Sequence, residues 1–377
     1  MKAVDGNENN AKTPRRKDAK VLPLLLLFCL VATPCVAAAP EIDNSGDHSR
    51  REMVERAQKY LLSIQKNGSI GETRQTAVTA AFVLASLSSG YLPSDGEYGD
   101  SLRAAYDFVL GASSTAFLGG REEPNADHAM ASLMLAELLG TPLEGAERRR
   151  LYERCELAVE YSQRLQDRGT AAEYHGGWRR NDQTRINDRL LTAWYLMGLR
   201  SAELRGLSVF EGNVNSAVEF VRASQELDSG SARGGYGGFS VDAAGLAVPS
   251  ATAAGLYVLA LERGQSDRPV QDDEEPARAA VKWLSRNPPR WYGPNFYETN
   301  FFAVRGLYRA RDIDGGQAFR AYYSRLVRIL RERQEADGSF PFPPGHGAPI
   351  VAMGRGYSTA MAILILNVDR GVIPMDK

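Results

Sequence analysis

Apolar positions along this chain fall into two alternating helical patterns. In the first, Met53, Ala57, Tyr60, Leu61 and Ile64 recur at helical spacing with charged residues between them. That pattern predicts a half-exposed helix with one apolar stripe. Ala217, Phe220, Val221 and Ser224 repeat it. In the second, His128–Ala136, Thr252–Ala260 and Thr359–Leu366 are apolar almost all round, and a helix apolar on every face belongs inside. A glycine-containing turn separates the two kinds, as in Asn67-Gly68-Ser69 and Asp337-Gly338-Ser339.

The pair recurs six times, over residues 51–92, 98–140, 147–206, 211–264, 275–311 and 317–371. Half-exposed helices alternating with buried ones predict an all-α fold of two concentric rings, an (α/α)6 toroid with the second helices inside. An open superhelix would need polar capping units at both ends. Here the first and last units are as apolar as the middle ones, so the ring is expected to close. No segment has strand periodicity.

Lys plus Arg number 45 and Asp plus Glu 46. Without a basic excess to neutralise phosphates, nucleic acid is excluded as a partner. The basic stretch Arg15-Arg16-Lys17 precedes an apolar run, Leu22–Ala32, and then Ala37-Ala38-Ala39. That order reads as an export signal over 1–39, cleaved after Ala38 or Ala39, placing the protein in the periplasm or outside the cell. A polar linker over 40–50 and a single toroid domain over 51–377 follow. No later segment is long and apolar enough to span a bilayer. Cys29 and Cys35 lie in the signal, and Cys155, on a helical pattern, reads as a buried apolar residue. Three loops stand out: Gln225–Pro249, rich in glycine, Gln265–Pro276, acidic, and Pro341–Gly356, with His346 and Arg355.

The turns at Gln65…Gly68-Ser69 and Gln334…Asp337-Gly338-Ser339-Phe340 resemble the Q-x-x-D-G-S-W repeat of squalene–hopene cyclases and of protein prenyltransferase β subunits. Asn125-Ala126-Asp127-His128-Ala129, Gly176-Gly177-Trp178-Arg179 and Gly354-Arg355-Gly356-Tyr357-Ser358-Thr359-Ala360 are similar to exported bacterial proteins with prenyltransferase/squalene oxidase repeats. The resemblance covers 51–377 and implies an (α/α)6 barrel, in agreement with the count of pairs. The catalytic motifs are missing. The cyclases' D-x-D-D acid has no counterpart: the nearest segment, Asn181–Arg189, carries Asp182 and Asp188 among arginines. The prenyltransferases' zinc ligands Asp, Cys and His are not matched either, so neither metal nor cofactor is expected.

If the second helices form the inner ring, their N-termini share one mouth. The residues there are Asp127 and His128, Asp188, Ser250 and Thr252, Glu298 and Asn300, and Tyr357 and Thr359. Asp127, His128 and Asp188 are the candidate catalytic residues, with Asp127 and His128 as an acid–base pair. Against this, Asp127, Asp188 and Ser250 also read as helix caps. Trp178, Tyr236, Glu298 and Tyr357 are the candidate ligand-binding residues. The expected function is binding of an apolar, isoprenoid-like molecule in a central cavity, without the relatives' chemistry. A terpenoid-cyclase-like enzyme with other acids is one alternative. A carbohydrate-active toroid taking a glycan in a groove with Trp178, Tyr236, Tyr292 and Tyr297 is another.

Overall fold

The structure is a computed structural model that describes residues 44–112, 115–120, 122–169, 175–184, 186–228, 235–241, 245–263, 270–345, 347 and 351–371. The expected export signal and His346 lie outside these. Among the described residues twelve helices follow one another: α1 Asn44–Ile64, α2 Gln75–Ser88, α3 Gly96–Gly111, α4 Pro124–Leu138, α5 Gly145–Leu165, α6 Arg189–Glu203, α7 Glu211–Arg222, α8 Pro249–Glu262, α9 Val270–Arg286, α10 Phe296–Arg309, α11 Gln317–Arg333 and α12 Gly354–Leu366. Among the described residues extended backbone is limited to isolated bridges such as Trp178 with Asp188.

The even-numbered helices are the inner ring. Each packs on the next, and α12 packs on α2, so the ring closes. Their faces are buried all round, as the second pattern requires. The odd-numbered helices pack outside them. One boundary differs from expectation: α1 begins at Asn44, so the second half of the expected linker is helical. Arg50 anchors that extra turn, bonding Asp47 and Asp369 and donating to Tyr323 Oη at 2.9 Å.

A repeated joint locks one outer helix to the next. The Gln334 amide donates to Gly338 O in its own turn and to Met53 O on α1, at 3.0 and 2.8 Å. Gly338 has φ +91°, and a Cβ there would lie 2.4 Å from Arg56 O, so only glycine permits this approach. Gln65 with Gly68 on α3, Gln166 with Gly176 on α7, and Gln225 with Gly237 on α9 make the same joint. The repeat motif is thus a mechanical one, carrying backbone-to-backbone contact around the outer ring.

A second repeated bond joins each turn to its inner helix. The amides of Ile70, Trp178, Phe239 and Phe340 donate to the hydroxyls of Thr79, Thr192, Thr252 and Thr359. In the second unit the acceptor is His128 Nδ1, bonded by the Leu118 amide at 3.1 Å. His128 therefore occupies the threonine position of the repeat.

Side chains fill the ring's interior. Trp194 of α6 stacks on Phe301 of α10 at 4.5 Å, Phe302 packs on Trp194 and Tyr257, and the Arg305 guanidinium lies 3.9 Å above Phe301. The end opposite the mouth holds a buried ion cluster. There the Arg200 Nε donates to Glu262 at 2.9 Å, and its other nitrogens reach Glu203 and Glu211.

Candidate functional site

Inner-helix starts meet at one mouth, where an ionic chain links the first three units. Arg74 donates to Glu123 at 2.7 Å and to Asp127 at 2.8 Å. Arg180 takes the same Glu123 oxygen at 3.0 Å and Asp188 at 2.6 Å. Across the mouth, Tyr357 Oη donates to Glu298 Oε1 at 2.7 Å, and the Glu298 charge reaches Arg180.

Arg74 is the most constrained member. It precedes α2 at φ +45°, ψ +41°, a left-handed conformation that a long side chain adopts at a cost of about 1 kcal/mol or more. Its bonds to Glu123 and Asp127 hold it there. Arg180 and Asp188 are half-buried, keeping 25% and 26% of their side-chain surface. Arg180 bonds through Nε and Nη1, and both arginines take the same oxygen of Glu123, Oε2.

The carboxyls at the mouth differ. Burial raises the Asp188 carboxyl, but Arg180 and the Leu191 amide outweigh it and hold it below the ordinary range. Asp188 also caps α6, accepting from Leu191 N at 3.0 Å. Asp127 is no cap; it sits within the first turn of α4. There it accepts from Arg74 and from Gly120 N, and burial leaves it above the ordinary range despite Arg74. Ser250, the second residue of α8, does not cap it either. Burial, with Glu298 beside it, pushes the Tyr357 hydroxyl well up.

The expected acid–base pair is not assembled. Asp127 faces Arg74, whereas His128 points into the wall, with Nδ1 on Leu118 N and Nε2 near Ala158 O and Ser162 Oγ, at 3.2 and 3.1 Å. Burial lowers its pKa to about 4, so the ring is neutral at physiological pH. Trp178 is wholly buried, stacked on Tyr195 with its indole N–H on Ser162 O, and has no surface for a ligand. Tyr236 donates to Glu275 on outer helix α9, away from the mouth. Tyr297 is buried, its hydroxyl on Pro341 O, and Tyr292 is exposed. The structure thus gathers Asp127, Asp188, Glu298 and Tyr357, and sets His128, Trp178 and Tyr236 elsewhere.

Arg74, Glu123 and Arg180 escaped the sequence reading. The helix dipole favours anions at an N-terminus, so a search of helix starts selects acids and passes over cations. The available signal was Arg180 eight residues before the Asp188 cap, a pairing that depends on the loop's fold.

Among the described residues no group of His, Cys, Asp and Glu is arranged to hold a metal ion, and no helix is long and apolar enough to cross a membrane. No family model and no curated protein sequence matches the chain. Solved structures do. An inactive variant of a GH76 α-1,6-mannanase from Salegentibacter sp., with two aspartates replaced by asparagine and α-1,6-mannotriose bound, superposes with a TM-score of 0.61 at 9% identity, covering 84% of this chain and 98% of that one. A GH76 α-mannanase from Bacteroides thetaiotaomicron gives 0.55 at 10%, covering 86% and 96%. The type II terpene cyclase MstE from Scytonema, in complex with geranylgeranyl dihydroxybenzoate, gives 0.51 at 13%, covering 89% and 100%. The chain therefore has the α/α-toroid fold that GH76 mannanases and terpene cyclases share.

Proposed function

We propose that this protein is an exported binding toroid that takes a hydroxyl-rich ligand of glycan type at the mouth of its inner ring. The observation that carries this is the Arg180 clamp. Its bonds to Asp188 and Glu123 fix a guanidinium that keeps 25% of its side-chain surface exposed, and a fixed guanidinium paired with carboxylates suits the donor and acceptor groups of a sugar diol. An isoprenoid in the centre has less support, because Trp194, Phe301, Phe302 and Tyr257 occupy that space. Catalysis by Asp127 or Asp188 has less support too, because arginine holds both. The one Asp-Asp pair in the sequence, Asp272-Asp273, lies on outer helix α9 and not at the mouth. Export rests on the basic, apolar and small-residue order over 1–39; N-terminal sequencing of the purified protein checks cleavage at Ala38 or Ala39.

Calorimetric titration with α-1,6-linked manno-oligosaccharides and other neutral oligosaccharides tests the reading. Loss of a charge-assisted hydrogen bond of about 1.5–3 kcal/mol predicts that Arg180→Ala binds roughly ten- to a hundredfold more weakly. Glu123→Gln, which keeps the side chain's shape, should weaken binding in the same direction. Absence of binding across the panel, or equal affinity in both variants, refutes the proposal. A product detected by mass spectrometry after incubation refutes the binding-only role.

A further inference from the structure

The outer wall of the fifth and sixth units is strongly basic. Residues 276–333 hold twelve lysines and arginines against four acids, in a chain whose formal charge is −1, so the remainder of the chain is acidic. α11 alone carries five arginines and one acid, Glu332. Arg325, Arg328 and Arg331 recur at helical spacing on it, and all three are exposed. α9 packs beside α11, and Lys282, Arg286 and Arg290, on its second half and just beyond, are exposed too. Arg325 Nε joins the two, donating to Pro289 O at 2.9 Å.

On other outer helices arginines are matched by acids. Arg51 pairs with Asp47 on α1, Arg103 with Asp100 on α3, and Arg150 of α5 with Asp107 of α3. The acids that border the basic wall in sequence are engaged elsewhere. Glu274 pairs with Arg278, Glu275 accepts from Tyr236, Asp312 pairs with Arg263, and Asp314 accepts from Gly316 N and Ala318 N. Among the described residues Lys282, Arg286, Arg290, Arg325, Arg328 and Arg331 make no ion pair. Like charges three residues apart on one helix repel, so this clustering works against the fold and calls for an anion from outside. At the mouth end of the wall stand two aromatic residues: Tyr292, 70% exposed, and Trp291, with the Arg333 guanidinium 5.6 Å from its ring.

We infer that this wall docks on the surface of a bilayer rich in anionic lipid. Charge complementarity selects an anionic partner, and each cation near such a surface strengthens attachment. Shape selects a surface over a strand. A single-stranded polyanion is held in a groove lined with cations, whereas outer helices set around a closed ring present a convex wall, on which two neighbours can rest against a plane together. Trp291 and Tyr292 are of the residue types that favour the boundary between headgroups and acyl chains. The inference rests on the outer wall and holds whatever the mouth binds.

Fluorescent labels in the full chain test it, with Cys29→Ser and Cys35→Ser introduced and the buried Cys155 left in place. One label sits at Ser324→Cys, exposed on α11, and a control at Glu156→Cys, exposed on α5. Vesicles carry a headgroup-linked quencher in phosphatidylcholine, with or without an equal part of phosphatidylglycerol. The α11 label should be quenched only with phosphatidylglycerol, and raised salt should restore it; the α5 label should stay bright. Because the readout is local, attachment through the N-terminal segment alone leaves the α11 label unquenched and counts against the inference. Arg286→Gln with Arg328→Gln and Arg331→Gln should raise the lipid concentration at half-quenching about a hundredfold. Arg103→Gln with Arg149→Gln and Arg164→Gln, which removes as much charge from α3 and α5, should leave it unchanged. No quenching at α11, equal quenching of both labels, or equal weakening by the two triple variants overturns the inference. Retention on an acidic polysaccharide without quenching on vesicles overturns it too, and assigns the wall to an anionic glycan.

Discussion

His128 makes the most quantitative prediction. The imidazole is buried among Phe117, Tyr161 and Tyr195, and its Nδ1 must stay unprotonated to accept the Leu118 N–H. Its pKa is about 4 in the folded protein against 6.5 for the free side chain. The folded value is depressed, so the unfolded chain binds the proton more readily and stability falls as pH drops through the interval from 6.5 to 4. Linkage over that interval gives a loss of about 2 kcal/mol between pH 7 and pH 5 from this residue alone. The assay is urea unfolding at pH 7, 6 and 5 at constant ionic strength, followed by tryptophan fluorescence. The comparison protein is His128→Asn, which removes the titrating ring and keeps a polar side chain at this position. That variant loses packing and starts less stable, so the pH slope, and not the absolute stability, is compared. Asp127 and the other carboxyls titrate in both proteins and cancel in the difference. Equal slopes for wild type and variant would refute the structural role of the neutral ring. So would an imidazole titration near 6.5 observed by NMR in the native state.

Gly338→Ala should lower the melting temperature far more than Gly293→Ala. Both have positive φ, costing about 1 kcal/mol, but only the Gly338 Cβ collides with a neighbouring carbonyl; similar melting shifts would exclude a locking joint. Arg200→Met leaves Glu262 buried without its partner and should cost about 3–5 kcal/mol in chemical denaturation, most of which Arg200→Met with Glu262→Leu should restore. A double variant no more stable than the single one would show that the ion cluster is not what the mutation breaks.

Periodicity made the fold legible. The two kinds of apolar pattern differ because one helix face meets solvent in the outer ring and none does in the inner ring, and burial imposes that difference on sequence directly. Closure followed from the apolar end units, and α12 does pack on α2. The site was legible only in part. Asp188, Glu298 and Tyr357 do lie together at the mouth, because position at a helix start is a local property. His128 and Trp178, singled out for their chemical type, lie buried in the wall. Each is a packing element whose role shows only against its equivalents in the other units: His128 replaces a threonine acceptor, and Trp178 closes a turn.

The sequence by itself determined the number of helix pairs, which of each pair lies inside, and that the inner helices start at a common mouth. All three are written in spacing along one chain. Only the tertiary structure decided what the mouth contains and how the ring is held. Arg74, Glu123 and Arg180 meet from three different units, and Gln334 reaches Met53 across 281 residues of chain. Such contacts depend on angles between helices that local propensity does not specify, so no window of sequence records them. The glutamine–glycine repeat proved to be the fastening of the ring, and the polar residues at its mouth do not follow that repeat.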